Sequence, residues 1–244
     1  MIMAMLFRSV SSAFRLGRGC LRLPSSLIRG RSISRWELIT VDVFATLLHR
    51  LGDHDTAWRD GTVHAVEVAR SRGLVVQREP FALRRGIERR LSRELLMKGK
   101  DPEFSNQDTY EHMFRELGAG DSAKAEAQEL AAWELQREIV HTRPVKSMAA
   151  SVRLWADSNK RVVAVSDTRY TAQELTVILS RHDILGLSAI YASADYAASK
   201  FSGRLFDVVA ESENVDPQQI LHVGDDLYAD ALSAAERGFA VRRV

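Results

Sequence analysis

Four short stretches of this sequence place reactive side chains directly after apolar, β-rich runs. The first is Asp42-Val43-Phe44-Ala45-Thr46-Leu47 and the second is Ser166-Asp167-Thr168. The third is a lysine loop, Lys200-Phe201-Ser202-Gly203-Arg204-Leu205-Phe206, and the fourth is Gly224-Asp225-Asp226-Leu227-Tyr228-Ala229-Asp230. A strand-end carboxylate such as Asp42 can act as a nucleophile on a phosphorus or carbon centre. Ser166 can donate a hydrogen bond to a transferring group, and Lys200 offers a fixed cation against developing negative charge. Asp225 and Asp226 supply hard oxygen atoms of the kind that hold Mg²⁺, which would also screen Asp42 from an anionic substrate. Each residue has an ordinary alternative. Asp225 or Asp226 could cap the helix that follows, and Asp167 could tie down its own loop. The order of the four sets, each at a strand end, is what favours a shared site.

The elements that would bring them together follow from pattern. Residues 37–44 read as a strand buried on both faces. Residues 56–72, 80–97, 107–117 and 123–140 carry apolar residues at helical spacing, with many arginines between them. From residue 144 onward, helices and strands alternate. Strands are expected at 161–165, 189–192, 220–223 and 240–243, and helices at 146–158, 171–182, 204–212 and 227–237. Thr171 and Glu174 have the spacing of a capping box. This rhythm predicts an α/β fold with a Rossmann-like parallel sheet flanked by helices. Ligands in such sheets bind beyond the carboxyl ends of the strands, where the four sets lie.

The order Asp-x-x-x-Thr-Leu, then a strand-end Ser, then Lys, then Gly-Asp-Asp with a further Asp resembles the four motifs of the haloacid dehalogenase-like superfamily. The likeness runs from about residue 38 to 243, and HVGDDLYADALSAAERG is its most specific piece. The resemblance implies a core of residues 37–50 and 143–244, with a helical cap of residues 51–142 inserted after the first strand. It implies that Asp42 attacks phosphorus to give an aspartyl-phosphate that water cleaves. Thr46 and Ser166 would then hold phosphoryl oxygens. Lys200 would stabilise charge, and Asp225 would hold Mg²⁺ with Asp42 and a main-chain carbonyl. The family's phosphatases carry a second Asp two residues after the nucleophile, where this chain has Phe44; relatives with the acid one place later are not matched either, since Ala45 stands there. An aromatic at that place resembles the 2-haloacid dehalogenase branch, which needs no metal and lacks the acidic fourth motif kept here.

The resulting expectation is a Mg²⁺-dependent phosphatase or phosphotransferase acting on a small anionic metabolite, slowed by Phe44. Asp167 is the candidate replacement proton carrier. The alternatives are a dehalogenase-like hydrolase that is not a phosphatase, and a non-catalytic binding or regulatory module. Residues 1–36 form a basic extension with seven arginines and no acid, leaving 27 basic and 32 acidic side chains in the remainder. A mildly acidic body argues against nucleic acid as a partner. No apolar run reaches the ~20 residues of a membrane span. A single cysteine, Cys20, excludes an internal disulfide and suits a reducing compartment. The expected location is cytoplasmic, or the mitochondrial matrix if the Arg- and Ser-rich N-terminus is a presequence.

Overall fold

A computed structural model describes residues 33–244. The predictions for residues 1–32 lie outside the described residues. Five parallel strands form the central sheet in the order β5-β4-β1-β6-β7. They are β1 (Leu38–Val41), β4 (Arg161–Ser166), β5 (Ala189–Ala192), β6 (Ile220–Gly224) and β7 (Ala240–Arg243). All residues of β1 and β6 are buried, as is β4 after Arg161. This explains their near-continuous apolar runs: strands covered on both faces lose the alternation of a half-exposed strand. The sheet's two faces carry separate apolar cores, one including Ile39, Val41, Val162 and Leu179, the other Leu38, Val163, Phe206 and Phe239. Trp36, the last residue of the basic extension, is buried in the first of these, and Ile33 packs against it.

Strand β1 stops at Val41, three residues before the expected end. The chain then folds into a tight turn: Ala45 takes a left-handed conformation (φ 69°), and Leu47 N–H and Leu48 N–H both donate to Val43 C=O. This turn leads into β2 (Leu48–Arg50), which pairs antiparallel with β3 (Thr142–Pro144). Four helices lie between these two short strands: α1 (Thr56–Ser71), α2 (Pro80–Met97), α3 (Asn106–Glu116) and α4 (Ala123–Val140). They enclose their own apolar cluster, which includes Ile87, Tyr110, Met113, Phe114 and Leu130. Within it Arg84 is fully buried, bonded to Glu134 (2.7 Å), Tyr110 (3.0 Å), Thr62 (3.2 Å) and Asn106 (2.8 Å). A guanidinium can be kept in such a place because its N–H groups find acceptors and Glu134 matches its charge.

The remaining helices are α5 (Lys146–Asp157), α6 (Ala172–Arg181), the single turn α7 (Ser193–Tyr196), α8 (Arg204–Glu213) and α9 (Ser233–Glu236). The capping box is formed: Glu174 N–H donates to Thr171 Oγ1 (3.2 Å), and Thr171 N–H donates to Glu174 Oε2 (2.8 Å). The last expected helix is not regular. Leu227–Leu232 winds as a π-helix and continues into α9. Among the described residues, no helix is long and apolar enough to cross a membrane.

Candidate active site

The chain runs outward from β1 through β4 to β5, then outward on the other side through β6 to β7. Strand order therefore reverses beside β1, and crevices form at the carboxyl ends of strands at such a point. Asp42 directly follows β1 there, 5% exposed. Lys200 Nζ donates to Asp42 Oδ1 (2.5 Å) and to Asp230 Oδ1 (2.5 Å). Thr46, turned back by the Ala45 bend, donates from Oγ1 to Asp225 Oδ1 (3.3 Å). Ser166, buried, ends β4 beside β1. Thus Asp42, Thr46, Lys200 and Asp225 meet at one place.

Asp226 does not join them. It is exposed, and its Oδ1 accepts from Tyr228 N–H (2.8 Å) and Ala229 N–H (2.7 Å), capping the π-helical turn. The second acidic residue of the cluster is Asp230, which sequence reading quoted within the motif but did not assign. The π-helix turns it inward, where its Oδ2 accepts from Asp226 N–H (2.9 Å). Single π-turns recur at functional sites because the extra residue per turn redirects a side chain. Gly224 is required by this packing, since a Cβ there would overlap the Asp230 carboxylate. Asp167 sits behind the lysine loop. Its oxygens accept Lys200 N–H (2.6 Å) and Phe201 N–H (3.2 Å), a loop-holding role.

A buried chain of hydrogen bonds supports the centre from behind. His222 Nε2 faces Asp230 Oδ1 (3.1 Å), and Nδ1 faces Thr40 Oγ1 (2.8 Å). Burial holds His222 below its ordinary pKa, so the ring is neutral near pH 7. The carboxylate accepts from Nε2–H, leaving Nδ1 to accept from Thr40. Burial by itself would raise the Asp230 carboxyl, but the His222 hydrogen bond and the Lys200 charge together hold it well below the usual carboxylate range. At Asp42 burial prevails over the attraction of Lys200 and pushes its pKa up to about 6. Burial also opposes the charge on Lys200, but Asp42 and Asp230 outweigh it and keep the ammonium firmly protonated.

The three carboxylates Asp42, Asp225 and Asp230 offer oxygens within 4.8 Å of one another. Asp42 Oδ2 is buried without a hydrogen-bond partner. With all three ionised, one lysine leaves two negative charges unmatched. An orphaned carboxylate oxygen within a three-carboxylate set suits a hard divalent cation.

A cleft of about 300 Å³ lies between the inserted helices and the loop that follows Ser166, with walls that include Arg50, Trp58, Glu103, Asn106, Asp167 and Tyr170. Phe44 lies near its edge: the Arg50 guanidinium stacks over its ring at 3.8 Å, and Tyr170 is 6.4 Å away between centroids. The linker between α2 and α3 fastens the inserted helices to the core. Asp101 N–H donates to Ala197 C=O (3.0 Å), and Asp101 Oδ2 accepts from Ser199 N–H (2.8 Å) and from Ser202 Oγ. Glu103 Oε2 accepts from Ser193 Oγ (2.8 Å), and Asn106 N–H donates to Arg169 C=O (3.1 Å).

Fold and site together define an α/β protein with a carboxylate and lysine centre at the switch point of a parallel sheet. No family model matches the chain, and no curated protein matches it in sequence. Solved structures do. The 2-haloacid dehalogenase from Pseudomonas syringae pv. Tomato DC3000 aligns with a TM-score of 0.62 and 17% identity, covering 84% of this chain and 85% of that one. The L-2-haloacid dehalogenase from Xanthobacter autotrophicus aligns with a TM-score of 0.50 and 16% identity, covering 86% and 77%. A dehalogenase with intermediate complex also aligns at 0.50, with 14% identity and coverage of 86% and 85%. At such identities the likeness is one of fold: the chain has the haloacid dehalogenase-like fold.

Proposed function

We propose that the protein is a Mg²⁺-dependent phosphohydrolase or phosphotransferase that works through an aspartyl intermediate on Asp42. The observation that carries this reading is the three-carboxylate cluster with its unpartnered Asp42 Oδ2. Attack on carbon, as the dehalogenase-like reading has it, needs no cation, and the acidic excess would then go uncompensated. Asp42, Asp225 and Asp230 would hold Mg²⁺, which when bound offsets charge between carboxylate and phosphoryl oxygens.

Asp42 supplies the electron pair that forms the O–P bond as the ester oxygen leaves. Lys200, fixed between Asp42 and Asp230, faces the charge on the transferring group. Thr46 and Ser166 are assigned to phosphoryl oxygens. Positions 44 and 45 offer no proton carrier, and Asp167 is occupied by two main-chain N–H groups. Leaving-group protonation is therefore weakly assisted, and turnover is slower by roughly 10²–10⁴ than in a site with a positioned acid. Phe44 favours the second reading, hydrolysis at carbon, because an aromatic ring needs no proton to shape an apolar subsite.

The test is a panel of phosphate esters and 2-haloacids, each with Mg²⁺ and with chelator, for the native chain and for Asp42→Asn. Phosphate release that needs both Mg²⁺ and Asp42 is expected. Halide release that persists in chelator would replace this reading with the dehalogenase-like one. No turnover, with an unchanged biological role in Asp42→Asn, would leave the binding-module reading.

A further inference from the structure

One polar group in the cleft has no partner and does not belong to the carboxylate centre. The Asn106 side chain is 1% exposed and lines the cleft. Its Oδ1 accepts from Arg84 Nη2 (2.8 Å). A guanidinium only donates, so the amide cannot be turned the other way round. Its Nδ2 is buried with no hydrogen-bond partner. The amide is also rigidly held. Asn106 is the first residue of α3, behind the Ser105–Asp108 capping box, and Arg84 is clamped by Glu134 and Tyr110. Buried donors are satisfied in native proteins with few exceptions, by protein, ordered water or ligand, and a donor in the wall of a cleft is where a ligand acceptor can take that place.

The charge around it narrows the class of that acceptor. Glu134 and Glu138 are matched by Arg84 and Arg50. The other charged groups of the wall are Asp55 and Asp167 against Arg169, with His54 beside them and Glu103, whose carboxyl burial favours in the protonated form. This lining repels a second anion. A protonated amine would suit the carboxylates, yet it has no lone pair to offer Asn106 Nδ2. A hydroxyl or carbonyl oxygen meets both conditions.

We infer that the cleft takes an uncharged, oxygen-bearing organic group of the substrate, a polyol-like or carbonyl-bearing phosphate ester, and that Asn106 Nδ2 is the donor that selects it. This rests on the reading that the phosphoryl group lies at Asp42 and Lys200. It narrows the anionic-metabolite expectation: the negative charge belongs at the carboxylate centre and the far end of the molecule is neutral.

Asn106→Asp tests the inference, because it keeps an acceptor for Arg84 and removes the free donor. Binding is measured by calorimetry with Mg²⁺ in the chain that keeps Asp42, with each ester checked for phosphate release so that consumed ligand is excluded. The probes are inorganic phosphate, glycerol phosphate, propyl phosphate, and carboxyalkyl and aminoalkyl phosphates of similar length. Glycerol phosphate should bind best of the esters. Asn106→Asp should weaken it roughly tenfold more than propyl phosphate, since the added negative charge acts on both esters and the lost hydrogen bond on glycerol phosphate alone. Equal effects on glycerol and propyl phosphate, or a preference for the carboxylate or amine probe, would overturn the inference while phosphate binding upheld the phosphoryl reading. No binding of any probe, inorganic phosphate included, would overturn both. If Asn106→Asp melts well below the parent protein, NMR on the unsubstituted side chain decides instead. The Asn106 NH₂ resonances should shift with glycerol phosphate and stay in place with propyl phosphate; identical shifts would refute the inference.

Discussion

Glu103 offers a quantitative test of how the inserted helices meet the core. Burial first, and then the nearby charge of Asp167, push its pKa from an ordinary 4.5 up to about 7. The folded state thus favours the protonated carboxyl. The stability this contributes is fully present below pH 4.5 and is lost as pH rises through 7. Each pH unit between those values is worth ~1.4 kcal/mol, so above pH 7 the ionised group penalises folding by up to about 3 kcal/mol. Glu103 keeps a partly solvated face, which lowers the expected figure to about 1–3 kcal/mol. Glu103→Gln retains an oxygen for the Ser193 hydroxyl and cannot ionise. Urea unfolding of both proteins at pH 5, 6, 7 and 8 should give curves that nearly coincide at pH 5. They should diverge above it, with Glu103→Gln more stable at pH 8. For a chain of this size the melting difference at pH 8 should be several degrees, at ~2–4 °C per kcal/mol. In an Asp167→Asn background the divergence should shrink, since the second contributor is gone. A constant offset between the curves, or a less stable Glu103→Gln protein at pH 8, would refute the assignment.

Other substitutions probe the rest of the argument. Glu134→Gln removes the nearer of the two carboxylates that face the buried Arg84, leaving Glu88, and should destabilise the protein by up to about 3–5 kcal/mol in urea titrations. Gly224→Ala forces the Asp230 carboxylate aside, so phosphate release should fall by two orders of magnitude or more while circular dichroism stays native; retained turnover would remove Asp230 from the centre. Mg²⁺ should raise the melting temperature of the native chain through linkage. Asp225→Asn and Asp230→Asn should each reduce that rise, and Asp226→Asn, which alters a helix cap, should leave it in place.

The parts of this structure that are local in sequence were legible there. Strand β1, the Thr171–Glu174 capping box and the order of the four motifs depend on neighbours a few residues away. What escaped depends on distant pairing or irregular winding. β2 and β3 are three residues each with 91 residues between them, too short to leave a periodic signal. Asp226 looked like a ligand because it adjoins Asp225, but it caps the π-helical turn, and that winding brings Asp230 beside Asp42 and Asp225. His222 hid inside an apolar strand, and its partner Thr40 was the hint: a lone polar residue at the matching position of the adjacent strand. Glu103 and Asn106 lie in a linker and at a helix start. Their meaning appears once Ser193, Arg169 and Arg84 are placed beside them.

The Asp101 linker couples two parts of the molecule that are far apart in sequence. The carboxylate that ties the inserted helices down does so by gripping Ser199 and Ser202, the residues on either side of Lys200 and Phe201. Swinging those helices away to admit a bulky substrate would release that grip on the loop that presents the ammonium to Asp42. Asp167 would still hold the main chain of that loop, and Asp42 and Asp230 its ammonium, so the inserted helices add one tie to a loop that the core already fixes at several points.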